Sequence, residues 1–375
     1  MKKGGCGGAP DDDGSLSGHQ SSSEQRDERK STDAVRARKK AGRIIQWLVT
    51  VGLVALLVAI VDVETTAATL ASADPKLLAV ATAIAFGDRV LMIGKWLPLV
   101  RVLLPSIELL PAARAYYGAM FASLFLPSSV GGDVVRAYAV GRADERIPEV
   151  GVSVFVERAL GFLALCIVAS VSLLAALGTS SADTQAERIL PWVLIVGVVG
   201  AAVILLPAFV SGDPEQGGIG DGLRGKVRSL WGRFLRAYRC YAGHRLRLAL
   251  VGLVSILEQL FPIAVIWTMS LALDVSAGLL AVAVATPIAM FMMRLPIAID
   301  GIGVVEGTLV YFLSLFGVSG EGALAIAVAN RAVKTIVLIP GAIFVSELRS
   351  FTGTEVRSGS KEESSSSPPE IFSVD

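Results

Sequence analysis

The chain has almost none of the side chains on which common catalytic and metal centres depend. Its 375 residues include two histidines, His19 and His244, and three cysteines, Cys6, Cys166 and Cys240. The cysteines lie far apart, with no CxxC motif and no Cys/His ligand spacing, so we expect neither a disulfide nor a metal site. Because His19 lies in a polar tail and His244 in a basic loop, a serine nucleophile would have no histidine base.

Two further catalytic signatures are missing. The sequence contains no P-loop for a nucleotide phosphate, and we expect no cofactor. Gly132-Asp133 is similar to half of an intramembrane aspartyl protease site, but that chemistry needs a second facing carboxylate that shares a proton. No Tyr-Asp pair occurs in any apolar segment. These absences favour a protein that is not an enzyme.

Charged residues are also scarce, at 18% of the chain, whereas hydrophobic residues make up 53%. Soluble domains carry about 25% charged residues. Several apolar runs exceed the roughly 18 residues needed to cross a bilayer, and none alternates like a barrel strand. The composition therefore predicts an all-α, polytopic membrane protein. The balance of 34 basic and 33 acidic residues says little about partners, and we expect no nucleic acid among them.

Two polar tails flank the apolar part of the chain. Residues 1–43 and 349–375 are rich in Gly, Ser and charged residues, a composition that cannot bury a core, so we expect both to be disordered. The first tail is too long and polar for a signal peptide, and the apolar run after it is read as a retained span. The predicted spans are Ile44–Val63, Leu77–Leu99, Val150–Leu177, Ile189–Val210, Leu248–Leu273 and Ala323–Leu348.

Pro and Gly interrupt two further apolar regions near the middle, Pro111–Val140 and Gly278–Val318. Each region is either a re-entrant helical hairpin or a pair of additional spans, which would raise the number of spans from six to eight. The membrane domain at 44–348 then divides into two halves, 44–178 and 189–348.

Lys and Arg are distributed very unevenly among the connections. The last twenty residues before the first span hold eight, 101–149 holds five and the loop 211–247 holds eight, whereas the alternate connections hold only Lys76 and Arg188. Cytoplasmic connections are enriched in Lys and Arg, so both termini are predicted to be cytoplasmic in a cell membrane.

The loop 211–247 also contains a basic amphipathic pattern. Its apolar residues recur at helical spacing, with basic residues between them: Leu223, Val227, Leu230, Phe234 and Tyr238. Such a helix binds an anionic membrane surface, or it is a charged connector that determines topology.

The two broken regions form an internal repeat. Both contain a Leu-Pro pair, a glycine-containing turn and an acid, and an arginine follows each acid 25 positions later, as Asp133 to Arg158 and Glu306 to Arg331. Each half has three spans, so the two halves have opposite orientations in the membrane. Transporters with such inverted repeats bind their substrates where the broken segments of the two halves meet.

Charged residues in these segments are the candidates for a binding site. A charge at the bilayer centre costs at least about 2.5 to 3.5 kcal/mol, so each must face a partner or a cavity. The residues expected to form a headgroup cavity are Pro127, Gly131, Gly132, Asp133, Arg136, Glu157, Arg158, Arg294, Pro296, Asp300, Gly301, Gly303, Glu306 and Arg331. Lys334 lies beside this set.

The arginines of this set would hold an anionic headgroup, and the acids would hold the arginines or bind a cationic part of the ligand. The alternative is a set of structural ion pairs between hairpins and spans. The glycines either allow close ligand approach or permit a turn. In the second span, Asp88 and Arg89 are expected to pair structurally, and Lys95 with Trp96 to form an interfacial anchor.

These residues resemble the lysylphosphatidylglycerol synthase transmembrane-region family, also described as flippase-like. The resemblance covers 44–348, and every residue of the cavity set except Arg294 and Asp300 matches the family pattern. The sequence departs from the family pattern at Ser128-Ser129, where Gly is common, and at Val305, where a basic residue often precedes the acid. Without that basic residue, the second hairpin depends on Arg294 or Arg331 to hold an anion.

In the best-known members of this family, the membrane part is fused to an aminoacyl-transferase domain and moves the aminoacyl lipid between leaflets. Only a short tail follows the last span of this chain, so the resemblance implies lipid translocation without synthesis. The expected partners are membrane lipids with an anionic, aminoacylated or lipid-linked sugar headgroup, and a separate lipid-modifying transferase.

Two other functions stay open from the sequence. One is a membrane-embedded transferase acting on lipid-linked sugars or isoprenoid phosphates, with the arginines binding phosphate. The other is a non-catalytic scaffold whose basic loop and tails recruit a partner. Transport without a nucleotide site would be passive or ion-coupled, with Asp133 or Glu157 as the proton carrier.

Overall fold

The computed structural model describes residues 48, 51–52, 55–56, 59, 62–126, 129–142, 145–177, 183–209, 223–295 and 298–345. The chain divides into two compact units. The first, Met1–Val49, lies outside the described residues except for Leu48, and the second, Thr50–Asp375, contains every helix named below. Both predicted tails and most of the first predicted span lie outside the described part of the chain.

All regular structure in the described residues is helical, as predicted. The helices are α1 (Val63–Ala71), α2 (Pro75–Leu103), α3 (Leu109–Ser123), α4 (Ser129–Gly141), α5 (Ile147–Ala176), α6 (Asp183–Phe209), α7 (Leu223–Cys240), α8 (Arg245–Ala272), α9 (Leu279–Arg294), α10 (Val304–Leu315) and α11 (Gly320–Leu338). Short 3₁₀ turns occupy Tyr241–Gly243 and Ile299–Gly301.

Three of the described helices, α2, α5 and α8, are long and apolar enough to cross a bilayer. They have 29, 30 and 28 residues and coincide with three of the predicted spans. Local sequence determines where α2 begins: Asp74 accepts a hydrogen bond from the Lys76 amide, and Pro75 occupies the first helical position. The chain is therefore a multi-pass helical membrane protein.

The two interrupted regions fold as pairs of short helices. The second is broken at the predicted glycine turn, but the first is broken between Ser123 and Ser129, and the turn predicted at Gly131 and Gly132 is wrong because both lie inside α4. α3 and α4 form the first hairpin, and α9 and α10 form the second. The longest of these arms, α9, has 16 residues. At a rise of about 1.5 Å per residue it extends about 24 Å, less than the roughly 30 Å of a hydrocarbon core.

Helices at equivalent positions in the two halves make equivalent contacts. α4 packs on α5 as α10 packs on α11, and α5 contacts α8 as α11 contacts α2. The most extensive packing joins α2 to α8, which occupy the same place in the two halves. The same order of helix contacts therefore occurs twice.

Small side chains allow the helices of the second half to approach closely. The buried core between α8, α9 and α11 contains alanines along one helix after another, among them Ala281, Ala285 and Ala289 in α9 and Ala325 and Ala329 in α11. Lipid tails are as apolar as leucine, so membrane helices associate through close van der Waals packing of small residues.

The basic amphipathic segment is a helix, α7, and the described part of its apolar face packs on protein. Phe234 and Tyr238 contact Phe155 of α5, with ring centroids 5.5 and 6.2 Å apart. The hydroxyl of Tyr241 donates to the Leu99 carbonyl at 2.8 Å, and burial raises the pKa of this hydroxyl. α7 is therefore anchored to the helix bundle at its C-terminal end.

Candidate functional site

The acid and the arginine of the first repeat meet in space. Arg158 in α5 donates to Asp133 in α4 through Nε at 2.9 Å and Nη2 at 2.8 Å. Paired bonds of this kind give an arginine–carboxylate contact a defined geometry. The pair joins the second arm of the first hairpin to the span that follows it.

Arg136, one turn after Asp133, lies in a deeper and more enclosed position. Its guanidinium is 2.7 Å from Glu157 and lies over the rings of Trp96 and Tyr116, at 4.5 and 4.1 Å from their centroids. The Tyr116 hydroxyl donates to Glu157 at 2.7 Å. Arg136 and Glu157 are each only 2% exposed, so the rings and the carboxylate largely enclose this cation.

The acid and the arginine of the second repeat meet in the same way. Arg331 in α11 donates from Nε to Glu306 in α10 at 2.7 Å. The other oxygen of Glu306 accepts the backbone amide of Gly303 at 2.7 Å and so caps α10. Glu306 therefore orders the turn before its own helix while it holds the arginine of the next one.

The turn of the second hairpin places a further acid beside these groups. Asp300 has a φ of 48°, and Gly301 and Gly303 have φ values of 69° and 82°. Glycine adopts this left-handed region at little cost. The Asp300 carboxylate accepts from Arg331 at 3.0 Å and from Lys334 at 2.8 Å, so it is shared between two cations of α11.

A cleft of about 830 Å³, a volume that includes the space at its mouth, lies between the two hairpins. The first half supplies Asp133, Arg136 and Arg158 to its wall, and the second supplies Asp300 and Lys334. Arg89 of α2 completes the charged lining. Four basic groups and two carboxylates thus face one cavity built from both halves.

The glycines of the first hairpin serve helix packing. A Cβ on Gly132 would lie 2.8 Å from the Ala119 carbonyl oxygen and 3.0 Å from the Ser123 Cβ, both in α3. A Cβ on Gly131 would meet Leu126 at 2.8 Å. Gly132 therefore lets α3 and α4 lie against each other, although it also lines the cleft.

Lys95 and Trp96 do not form the interfacial anchor that the sequence suggested. Both are buried, at 5% and 0% exposure. Lys95 forms an ion pair with Glu258 of α8, and the Trp96 ring nitrogen donates to Ser153 at 3.1 Å. A lone basic-aromatic pair near a helix end is typical of an anchor, but here tertiary contacts bring a carboxylate and a hydroxyl to it.

Glu258 and Tyr116 were not among the residues predicted for the site. The contact between the Trp96 ring and the Arg136 guanidinium was not predicted either. Glu258 stands alone in an apolar helix, and a carboxylate at that depth was itself the available signal. Tyr116 and Trp96 gave no signal, because nothing in their local sequence indicates that their rings enclose the guanidinium of Arg136.

Several predicted residues line the cleft, whereas others contact the lining from behind. Glu157 contacts Arg136 and Arg331 contacts Asp300, both in the lining, and Glu306 holds Arg331. Arg294 donates to the Gly161 carbonyl at 3.5 Å and forms no ion pair within the described part of the chain. Pro127 and Pro296 lie outside the described residues.

The charges around the cleft do not cancel. The seven basic groups are Arg89, Lys95, Arg136, Arg158, Arg294, Arg331 and Lys334, and the six acidic groups are Asp88, Asp133, Glu157, Glu258, Asp300 and Glu306. One positive charge is left over, and Arg294 is the basic group without an acidic partner among the described residues.

Comparison with known proteins identifies one family. The family model described as lysylphosphatidylglycerol synthase TM region matches residues 43–341. A comparison with curated proteins gave no match.

Proposed function

The chain belongs to the lysylphosphatidylglycerol synthase TM region family, and on this premise we propose that it moves a lipid with an anionic headgroup between the leaflets of the membrane. The headgroup would pass through the cleft between the hairpins while the acyl or isoprenoid tails stay in the bilayer. The observation that supports this most is the cleft itself, which both halves line with four basic groups and two carboxylates.

Arg158 is suited to bind the headgroup phosphate. Its side chain is 45% exposed although it lies in the cleft wall, and only Nε and Nη2 are used in bonds to Asp133. A guanidinium has five N–H donors, so the donors on Nη1 stay free for a phosphate oxygen. Asp133 therefore fixes the orientation of the Arg158 guanidinium before the lipid binds.

Lys334 is suited to contact the same group from the second half. Its ammonium is held by both oxygens of Asp300 at 2.8 Å and is 25% exposed. An ammonium has three donors, and the third lies 3.9 Å from the Met293 sulfur, a weak acceptor that a phosphate oxygen would displace. A phosphate between Arg158 and Lys334 would be held by both halves.

The membrane arrangement is part of the proposal. We infer that the two hairpins are re-entrant, because α3 and α9 are too short to cross the hydrocarbon core alone, and that the halves form an inverted repeat. Charge distribution supports cytoplasmic termini. Irregular backbone such as Asp300–Gly303 would be stable at membrane depth because it lines a polar cleft.

Supply of the lipid is also part of the proposal. A separate enzyme would modify the headgroup, and this chain would move its product. No step here requires bond making or breaking in the cleft.

Reconstituted vesicles test the transport. The full-length chain is placed in liposomes that contain a tail-labelled fluorescent phosphatidylglycerol, and dithionite added outside quenches only the outer leaflet. Vesicles with the protein should lose most of the signal, whereas empty vesicles should lose about half. The Arg158→Gln variant should be slower by at least about tenfold, since a bound phosphate contact is worth about 1.5 to 3 kcal/mol.

Arg233→Gln is the matched control. Arg233 also binds a carboxylate, Glu149, with contacts of about 3.1 Å, but it lies on α7 away from the cleft. This variant should move the lipid at the rate of the unchanged protein. Equal rates for Arg158→Gln and the unchanged protein, or no quenching beyond that of empty vesicles, would overturn the proposed function.

A further inference from the structure

Asp88 is a buried carboxylate with one unused oxygen at the centre of α2. It is residue 14 of the 29 in this helix and is 6% exposed. Its Oδ2 lies 2.5 Å from Arg89, but its Oδ1 accepts no hydrogen bond from the described residues. Buried carboxylate oxygens are normally hydrogen-bonded, so this oxygen is an exception that requires an explanation.

A second space lies beside Asp88. It measures about 620 Å³, a volume that includes the space at its mouth, and lies between α2, α8, α9 and α11. Its lining is mostly apolar, but Asp88, Arg89, Asn330 and Lys334 supply polar groups that can hold water. Oδ1 itself is buried against protein, so a proton reaches it from the edge of this space. Arg89, Met293 and Lys334 line both spaces and form the wall between them. Water beside Asp88 would therefore lie one side chain away from the headgroup.

The ion pair of Asp88 is of a kind that is easily released. Neighbouring residues on a helix point about 100° apart and do not face each other, so Arg89 must fold back to reach Asp88. The other contact of the Arg89 guanidinium is the sulfur of Met92 at 3.3 Å, a weak acceptor. Arg89 is 23% exposed and lines the headgroup cleft.

The equivalent acid of the second half is held differently. Glu258 is residue 14 of α8, counted from Arg245, as Asp88 is residue 14 of α2, counted from Pro75. Glu258 pairs with Lys95, whose side chain is buried between the two helices. The second half therefore has an ion pair with a buried lysine, where the first half has a carboxylate paired with a partly exposed arginine.

The other charged groups near Asp88 all form ion pairs or hydrogen bonds with other residues. On α2 and α8 these are Lys95 and Glu258, paired with each other, and on α11 it is Lys334, bound to Asp300. On α9, Arg294 contacts the Gly161 carbonyl of α5. Glu157 of α5 faces Arg136, as does Tyr116 of α3. Two acids in this group have a buried oxygen that accepts no hydrogen bond from the described residues, Asp88 and Glu157, and that oxygen of Glu157 lies 2.7 Å from Arg136.

We propose that Asp88 binds a proton during transport and that this protonation releases Arg89 to bind the headgroup. A hydronium ion in the space beside Asp88 gives its proton to the Asp88 carboxylate and leaves as water. An O–H bond forms, the carboxylate loses its charge, and Arg89 keeps its own. The attraction that held Arg89 is lost, and the guanidinium turns into the cleft with its full charge.

This inference rests on the proposed function and specifies its energy coupling. One proton and one headgroup of single negative charge enter together, so their combined charge is zero. Transport would then follow a pH gradient and respond little to membrane potential. Asp133 and Glu157 are less suited to carry the proton, because both oxygens of each carboxylate are contacted. Arg158 bonds both oxygens of Asp133, and Tyr116 and Arg136 contact the two oxygens of Glu157.

Proton uptake on lipid binding is the first test. The full-length chain in weakly buffered detergent solution at pH 7 is mixed with short-chain phosphatidylglycerol, and a pH-indicator dye reports protons taken up. We expect up to one proton per lipid bound for the unchanged protein and for Glu149→Gln, whose carboxylate lies away from the cleft. Asp88→Asn should bind the lipid without proton uptake, and Asp88→Glu should restore it.

A pH gradient across the vesicles is the second test. The labelled lipid should move several-fold faster when the side on which it is loaded is made one pH unit more acidic. Asp88→Asn should move the lipid at a rate that does not depend on the gradient. Elution of each variant as a single peak in size-exclusion chromatography shows that it is folded.

The outcomes distinguish the two proposals. Lipid movement without proton uptake, or an unchanged gradient response in Asp88→Asn, overturns the role of Asp88 and leaves the transport function standing. Proton uptake that depends on Asp88 without any lipid movement overturns the transport function and leaves Asp88 as a proton-linked lipid site.

Discussion

The guanidinium of Arg158 and the carboxylate of Asp133 are joined by two hydrogen bonds, at 2.8 and 2.9 Å. Arg331 and Glu306 make the corresponding contact at 2.7 Å, and both pairs are separated by 25 positions in the chain. Each pair attaches the second arm of a hairpin to the next helix. The repeat is therefore a repeat of tertiary contacts as well as of sequence.

Glu306→Gln should destabilise the protein. The substitution leaves Arg331 without the carboxylate that holds it, while a side-chain oxygen remains to cap Gly303. Removing one partner of a buried ion pair costs about 3 to 5 kcal/mol, and the lower end applies here because Arg331 is 22% exposed and keeps Asp300. Thermal unfolding in detergent should show a lower midpoint, and an unchanged midpoint would contradict this account of the pair.

Arg136→Lys should destabilise the protein less than Arg136→Met does. Lysine keeps a charge for Glu157 but loses the planar group that packs over the rings of Trp96 and Tyr116, at a cost of about 1 to 2 kcal/mol. Methionine leaves Glu157 buried and unpaired, at a cost of about 3 to 5 kcal/mol. The two midpoints of thermal unfolding check this order, and the reverse order would show that charge is unimportant at this site.

Gly132→Ala should loosen the first hairpin. The new Cβ would lie 2.8 Å from a backbone oxygen of α3, which cannot move aside as a side chain can. Forced packing of this kind costs about 1 to 3 kcal/mol. Gly151→Ala is the control, because a Cβ there meets nothing within 4 Å, and alanine favours a helix by up to about 1 kcal/mol. Equal effects of the two substitutions on the unfolding midpoint would exclude a packing role for Gly132.

Lys95 and Glu258 should show strong coupling in a double-mutant cycle. Lys95→Met or Glu258→Leu alone leaves one buried charge unpaired and should cost about 3 to 5 kcal/mol. The double variant should recover most of this loss, because two apolar side chains of similar size replace the pair. Unfolding midpoints of the four proteins provide the measurement. Additive losses would mean that the two side chains do not act as a pair.

Much of the architecture could be predicted from the sequence, because it depends on local properties. Apolar runs of sufficient length predicted α2, α5 and α8, since the bilayer selects segments by length and hydrophobicity. Pro and Gly predicted that both regions are interrupted, although Gly131 and Gly132 lie inside α4. The 25-residue spacing predicted a repeat, and the structure shows that each acid pairs with its arginine because the two lie on consecutive helices that pack together.

Other parts of the site could not be predicted. The sequence placed Asp133 and Arg136 near each other in the chain. It did not indicate that Asp133 would pair with a partly exposed arginine, or that the guanidinium of Arg136 would lie over two aromatic rings. Those rings come from α2 and α3, and their positions depend on how these helices pack on α5.

The sequence by itself thus determined the membrane class, the two interrupted regions and the repeat of acid and arginine that follows each interruption. Only the tertiary structure decided that Lys95 meets Glu258, 163 positions away, and that a buried oxygen of Asp88 accepts no hydrogen bond from the described residues. The physical reason is that hydrophobicity and turn chemistry act over one helix or one turn. The partner of a buried charge depends on which faces of two distant helices pack together, and side-chain shape along the whole α2 and α8 contact determines this.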